Sequence, residues 1–211
     1  MLQQARADVV RYCRRMAADR LVVGTSGNVS VRSGDLLAVS PSGLDYPELT
    51  ADLVGVHRLD GTPVEARLVP TTELPMHLAV YARTPARAVV HTHSTAATVL
   101  STVADELPAI HYLVALFGGA VRVAPYATYG TEELAEHVAR ALAGRTACIL
   151  ASHGAIAIGA TLGSAYSRAA YLEWLCEVYL RASQAGTPRL LPADEIARVR
   201  DKLASYGSQD A

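Results

Sequence analysis

Arg87-Ala88-Val89-Val90-His91-Thr92-His93 is the stretch on which the architecture turns. Its apolar, β-branched run predicts a buried strand, and a strand sends residues i and i+2 to the same face. His91 and His93 therefore stand side by side. A later β-like run, Thr146 to Ser152, ends in His153-Gly154. A third imidazole at that strand end would complete the open three-histidine set favoured by catalytic zinc sites. Each histidine taken alone reads better as a partly buried, hydrogen-bonded residue. Together, the pair on one face and the distant His-Gly point to a metal-dependent enzyme, because neutral imidazole suits zinc and several neighbouring metals.

Working outward, residues 2 to 20 carry apolar positions at helical spacing and predict a helix that stops before Leu21-Val22-Val23-Gly24. Short strands follow. Val29 to Arg32 and Leu36 to Ser40 flank Ser33-Gly34-Asp35, taken as a three-residue hairpin turn, and Leu53 to Leu59 and Thr62 to Ala66 flank Asp60-Gly61. A helix is expected over Thr72 to Arg83, with Pro75 in its first turn. Beyond the histidine strand come a short helix (Thr95 to Val103), a strand near Val121 to Ala124, and a helix capped at Thr131. The strand carrying Cys148, a long helix (Leu162 to Ala185) and a last helix (about Ala193 to Ala204) complete the order. Early hairpins followed by alternating strands and helices predict an α/β fold: a mixed, largely antiparallel sheet with helices on both faces.

With 211 residues and 51% hydrophobic content, the chain buries a substantial core, and one domain over residues 1–211 is the expectation. Lys plus Arg number 19 against 20 for Asp plus Glu, so no strong net field draws the chain to nucleic acid or an anionic membrane. The longest apolar stretches fall short of the roughly 18 residues that span a bilayer, and the expected location is cytoplasmic. Cys13, Cys148 and Cys176 are odd in number and widely spaced. They predict buried thiols, with no disulfide framework and no thiolate metal site.

Three hydroxyl-rich turns accompany the histidines: Gly24-Thr25-Ser26-Gly27-Asn28, Ser40-Pro41-Ser42-Gly43 and Pro70-Thr71-Thr72-Glu73. Each alone is an ordinary turn or N-cap. Each also offers several donors to an anion, and the last sits at a helix start, where free N–H groups and the dipole favour phosphate. Glu73 is either a first-turn charge complementing that dipole or a base. His57, His77, His111 and His137 lack metal-ligand spacing and default to structural or surface roles.

In order and spacing, GTSGNVSVR from Gly24, SPSGLDY from Ser40, PTTELPMH from Pro70, VVHTHS from Val89, PAIHY from Pro108, APYATYGTEELAEHVA from Ala124, SHGAIA from Ser152 and ASYG from Ala204 resemble the class II aldolase and adducin family, within it the L-fuculose-1-phosphate aldolases. The resemblance implies a three-layer α/β/α fold. It implies retro-aldol cleavage of a ketose 1-phosphate, such as L-fuculose 1-phosphate or a 5-deoxypentulose 1-phosphate, to dihydroxyacetone phosphate and a small aldehyde. The metal, Zn2+ or another divalent ion such as Mn2+ or Co2+, would be held by His91, His93 and His153, with Glu73 on or beside it as acid/base. Phosphate would be bound by Thr25, Gly27, Asn28, Ser42, Gly43, Thr71 and Thr72. Tyr112 would serve the O4 oxygen and Tyr206 would close the site, in a homotetramer whose active sites lie at subunit interfaces. Thr71-Thr72 stands for two serines of the fuculose-phosphate pattern and Ser42 for a threonine, which keeps the donors. Leu74 stands for a tryptophan and Tyr129 for a phenylalanine, which bears on aldehyde preference. A pentulose-5-phosphate 4-epimerase carries an aspartate in place of Glu73. A methylthioribulose-1-phosphate dehydratase or a decarboxylase shares the scaffold, and an adducin-like interaction module lacks the metal ligands.

Overall fold

A computed structural model describes residues 1–204, and it places the histidine strand at the centre of the molecule. The strands, in chain order, are β1 (Asn28–Ser33), β2 (Leu36–Val39), β3 (Gly55–Arg58), β4 (Pro63–Glu65), β5 (Ala88–Thr92), β6 (Glu106–Leu107), β7 (Val121–Ala124), β8 (Ala147–Leu150) and β9 (Gly154–Gly159). They form one nine-stranded sheet in the order β4-β3-β2-β1-β5-β9-β8-β7-β6. Only β7 and β8 pair in parallel; the other neighbours are antiparallel.

Helices cover both faces, as expected. On one side α1 (Gln3–Ala18), α3 (Thr95–Ser101) and α5 (Leu162–Ala185) pack against the sheet; on the other lie α2 (Leu74–Arg83) and α4 (Glu132–Ala141). The central strands are buried on both faces and divide their side chains by parity. Ala88 and Val90, Ala147 and Ile149, and Ala155 and Ala157 join the first core; Val89, Cys148, Leu150, Ile156 and Ile158 join the second. The same parity sends His91 and His93, like Val89, toward the α2 side.

The structure departs from the sequence reading at several points. The β1–β2 turn is Gly34-Asp35, two residues long, because Ser33 pairs with Leu36 and Gly34 supplies the positive φ of 61° that closes so tight a turn. The β3 and β4 strands are shorter than expected, with a bulge between Val56 and His57. Helix α2 begins at Leu74, and Thr71 to Glu73 form the turn before it. Strand β9 and the 3₁₀ helix Tyr112–Phe117 were not anticipated. The Ala-rich β9 run is buried throughout, so it shows no alternation of polar and apolar residues. The Thr131 cap is present, accepting from the Leu134 N–H, and all three cysteines are free and buried. Among the described residues no helix is long and apolar enough to cross a membrane.

Candidate metal centre

Two chain segments deliver the histidines. His91 lies near the end of β5, His93 just past it, and His153 stands in the tight link between β8 and β9. That link is strained: Ser152, just before His153, has φ of 50°, an uncommon value for a non-glycine residue that recurs at functional sites. After it, a Cβ on Gly154 would lie 2.2 Å from the Thr92 carbonyl oxygen, so only glycine lets the hairpin close against β5. The three rings sit at 4.8, 4.9 and 4.8 Å between centroids, each steeply inclined to the others, like blades around an axis.

Glu73 completes the group. Its Oε2 lies 3.0 Å from His91 Nε2 and its Oε1 3.3 Å from His153 Nε2; His91 and His93 approach within 2.9 Å, Nε2 to Nε2. Glu73 is the N-cap residue of α2, yet its side chain makes no capping hydrogen bond and turns into the histidine cluster. A carboxylate serving only the helix terminus would do the opposite. Ligand atoms from Glu73, His91, His93 and His153 all lie within 4.8 Å of one another, and the group could hold a metal ion. Two observations test the fit. Glu73 Oε1 is buried without a hydrogen-bond partner, a cost that a cation would remove. His91 Nδ1 donates to the Ala155 carbonyl at 2.9 Å, which leaves the Nε2 lone pair of the neutral ring facing inward. Three imidazoles and one carboxylate suit zinc and its neighbours, so the donor set fits.

The electrostatics agree with a site built to receive positive charge. Burial favours the neutral acid at Glu73, but His91, His153 and the Asn28 amide outweigh it and hold the carboxyl well below the usual range. Burial opposes charge on His91, whose pKa is nonetheless raised by Glu73. Burial and the neighbouring imidazoles bring His93 down to about 3, and burial with His91 brings His153 down to about 4. Neutral imidazole is the ligating form.

A cavity of about 520 Å³ opens onto this cluster. All three hydroxyl-rich turns line it through Thr25, Gly27, Asn28, Ser42, Gly43, Thr71 and Thr72, together with Glu73, His93 and His153. Gly27 is required where β1 meets β5: its φ is 80°, and a Cβ there would lie 2.8 Å from the His91 carbonyl oxygen. His91 is fully buried beneath the cavity.

Not every expected residue reaches it. Tyr112 starts the 3₁₀ helix, is 48% exposed, and packs its ring on His111 outside the cavity wall. Tyr206 lies outside the described residues. Leu74 packs with Leu37 and Val39 beneath the sheet and does not line the cavity, so of the two apolar departures only Tyr129 does. Tyr126 lines it as well and was not singled out in the sequence. Glu173 was also missed. From α5 it accepts the Ala96 and Ala97 N–H groups at 2.7 and 2.9 Å, fixing the start of α3 just after His93.

Residues 7–180 match the class II aldolase and adducin N-terminal domain. The chain is 39% identical to the 5-deoxy-D-ribulose 1-phosphate aldolase of Bacillus thuringiensis serovar kurstaki, over 99% of this chain and 100% of that protein. It is 41% identical to the 5-methylthioribulose-1-phosphate/5-deoxyribulose-1-phosphate aldolase of Rhodospirillum rubrum, over 96% and 92%. A solved L-fuculose 1-phosphate aldolase superposes with a TM-score of 0.94 at 36% identity, covering 97% of this chain and 98% of that one. The chain belongs to the class II aldolase and adducin family.

Proposed function

We propose that the protein is a metal-dependent aldolase, residues 1–211 acting as one domain, that cleaves a ketose 1-phosphate such as a 5-deoxypentulose 1-phosphate or L-fuculose 1-phosphate to dihydroxyacetone phosphate and a small aldehyde. One observation carries this reading: a single cavity joins three donor-rich turns to Glu73 and the histidine cluster. Bound at the histidines, a divalent cation, Zn2+ in our reading, supplies positive charge against the oxyanion developing at the ketose carbonyl. Thr25, Gly27, Asn28, Ser42, Gly43, Thr71 and Thr72 grip the phosphate remote from the breaking C3–C4 bond and so fix the reacting carbons near Glu73. Glu73 moves the proton at C3. Tyr112, exposed and off its own chain's cavity, serves O4 from a neighbouring subunit of a homotetramer, with Tyr206 closing the site. In cleavage the Tyr112 phenolic oxygen takes the O4 proton as the C3–C4 bond breaks, and in the reverse addition the same hydroxyl returns that proton to the developing alkoxide. The free thiols suit a reducing compartment, and we place the protein in the cytoplasm. A formal net charge of −1 gives no reason to add nucleic acid or membrane as partners.

Incubation of metal-loaded protein with a panel of ketose 1-phosphates is expected to release equimolar dihydroxyacetone phosphate and aldehyde. An epimerised pentulose 5-phosphate or a dehydrated product, without C–C cleavage, would redirect the assignment to the epimerases or dehydratases of the same scaffold. Thr72→Val is the test of the phosphate turns, since Thr72 lines the cavity and is exposed. It is expected to raise KM roughly tenfold, the effect of one hydrogen bond to an anion, with kcat nearly unchanged. Equal losses on phosphorylated and unphosphorylated sugars would mean that the turn serves only the fold.

A further inference from the structure

We propose that Tyr81, Ser30, His77 and Asn28 form a hydrogen-bond chain of single sense that holds the Glu73 carboxylate in its working orientation, which makes His77 a positioning residue. The inference rests on the acid/base reading of Glu73 given above.

The chain follows from two periodicities. Asn28 and Ser30 are i and i+2 on β1 and share the face opposite Val29, which joins the first core. Glu73, His77 and Tyr81 are i, i+4 and i+8 along α2 and share one side of that helix. Asn28 pairs directly with His91 in the sheet, so the β1 face opposes α2 beside the histidine cluster. All five side chains are buried.

Chemistry then fixes the direction. An ionised carboxylate only accepts, so the Asn28 atom 2.9 Å from Glu73 Oε2 is the amide nitrogen. The amide oxygen therefore faces His77, 2.5 Å from Nε2, and Nε2 must carry the hydrogen. In a neutral ring Nδ1 is then an acceptor, and the Ser30 hydroxyl at 2.7 Å donates to it. The Tyr81 hydroxyl, 2.7 Å from Ser30 Oγ, is left to donate to Ser30. Every donor points toward Glu73. Dipoles so aligned stabilise the carboxylate and strengthen one another in a buried setting. They also commit Oε2 to Asn28 and leave Oε1, which has no hydrogen-bond partner, turned toward His153 in the histidine cluster. The second hydrogen of the Asn28 amide remains for the cavity that Asn28 lines. A histidine that merely filled the core would need neither this tautomer nor any bearing on turnover.

Nitrogen-15 NMR of the metal-free protein at neutral pH is expected to show His77 as the neutral Nε2–H tautomer; an Nδ1–H tautomer or an imidazolium would overturn the proposal. In the metal-loaded enzyme His77→Leu is expected to lower kcat roughly 10- to 100-fold, with KM little changed and metal retained. His77→Gln, which keeps a donor toward Asn28, is expected to recover most of that loss. Wild-type kcat in a folded, metal-loaded His77→Leu, or a His77→Gln as impaired as His77→Leu, would defeat it. Should His77→Leu fail to fold, Ser30→Ala cuts the chain at its remote end and is expected to lower kcat several-fold, unchanged turnover counting against the proposal. Full turnover in Glu73→Gln would instead sink the acid/base reading of Glu73, and the tautomer measurement stands apart from that outcome.

Discussion

Glu73→Gln is expected to lower kcat by roughly 10²–10⁴ while the bound metal stays in place, the span of a lost general acid/base group. The glutamine carbonyl can take over acceptance from the Asn28 amide that Oε2 now provides at 2.9 Å. Its nitrogen then stands where Oε1 was, 3.3 Å from His153 Nε2, with no lone pair for a proton. Size and most contacts survive, so a stability loss large enough to explain the kinetics is not expected. The three histidines remain as ligands, and elemental analysis should find metal content close to wild type. Turnover and metal content measured on the same preparation decide the matter. Wild-type turnover would return Glu73 to the role of a helix-terminal charge, although its side chain makes no capping bond.

Much of this site was legible in the sequence because its parts obey short-range rules. His91 and His93 share a face because a strand repeats every two residues, and β5 is a strand because its residues are apolar and β-branched. The three turns stood out by their hydroxyls and glycines, and each lines the cavity. Long-range pairing was not legible. That His153 reaches the cluster depends on β9, whose Ala-rich, wholly buried residues carry no alternation to read. His77 looked like an ordinary helix residue because its significance lies across the sheet, in Asn28 and Ser30, more than forty residues away in sequence. Glu173 lies 77 residues from the Ala96 N–H group it accepts, with no local signal for that contact. Tyr112 shows the converse. Its motif was recognisable, yet its own chain leaves it outside the cavity.

His93→Ala should remove most of the bound divalent ion and with it the activity. Of the three histidines it is the most informative to remove. His91 is fully buried and donates to the Ala155 carbonyl, so its loss would leave a hole and an unsatisfied acceptor in the core between β5 and β9. His153 follows the strained Ser152, and its replacement would disturb a turn as well as a ligand. His93 is only partly buried, and its Nε2 lies 2.9 Å from His91 Nε2. Two histidines and a carboxylate then remain, a weaker set in which His91, once protonated, pairs with Glu73 at 3.0 Å. Binding to the native state alone stabilises it in proportion to the logarithm of ligand concentration over Kd. Added Zn2+ should therefore raise the Tm of the metal-stripped wild type and leave that of His93→Ala nearly unmoved. This readout does not depend on substrate. Stoichiometric metal retained by His91→Ala/His93→Ala/His153→Ala, or an equal Tm rise in His93→Ala and wild type, would show that the ion binds elsewhere and that the histidine cluster serves the core alone.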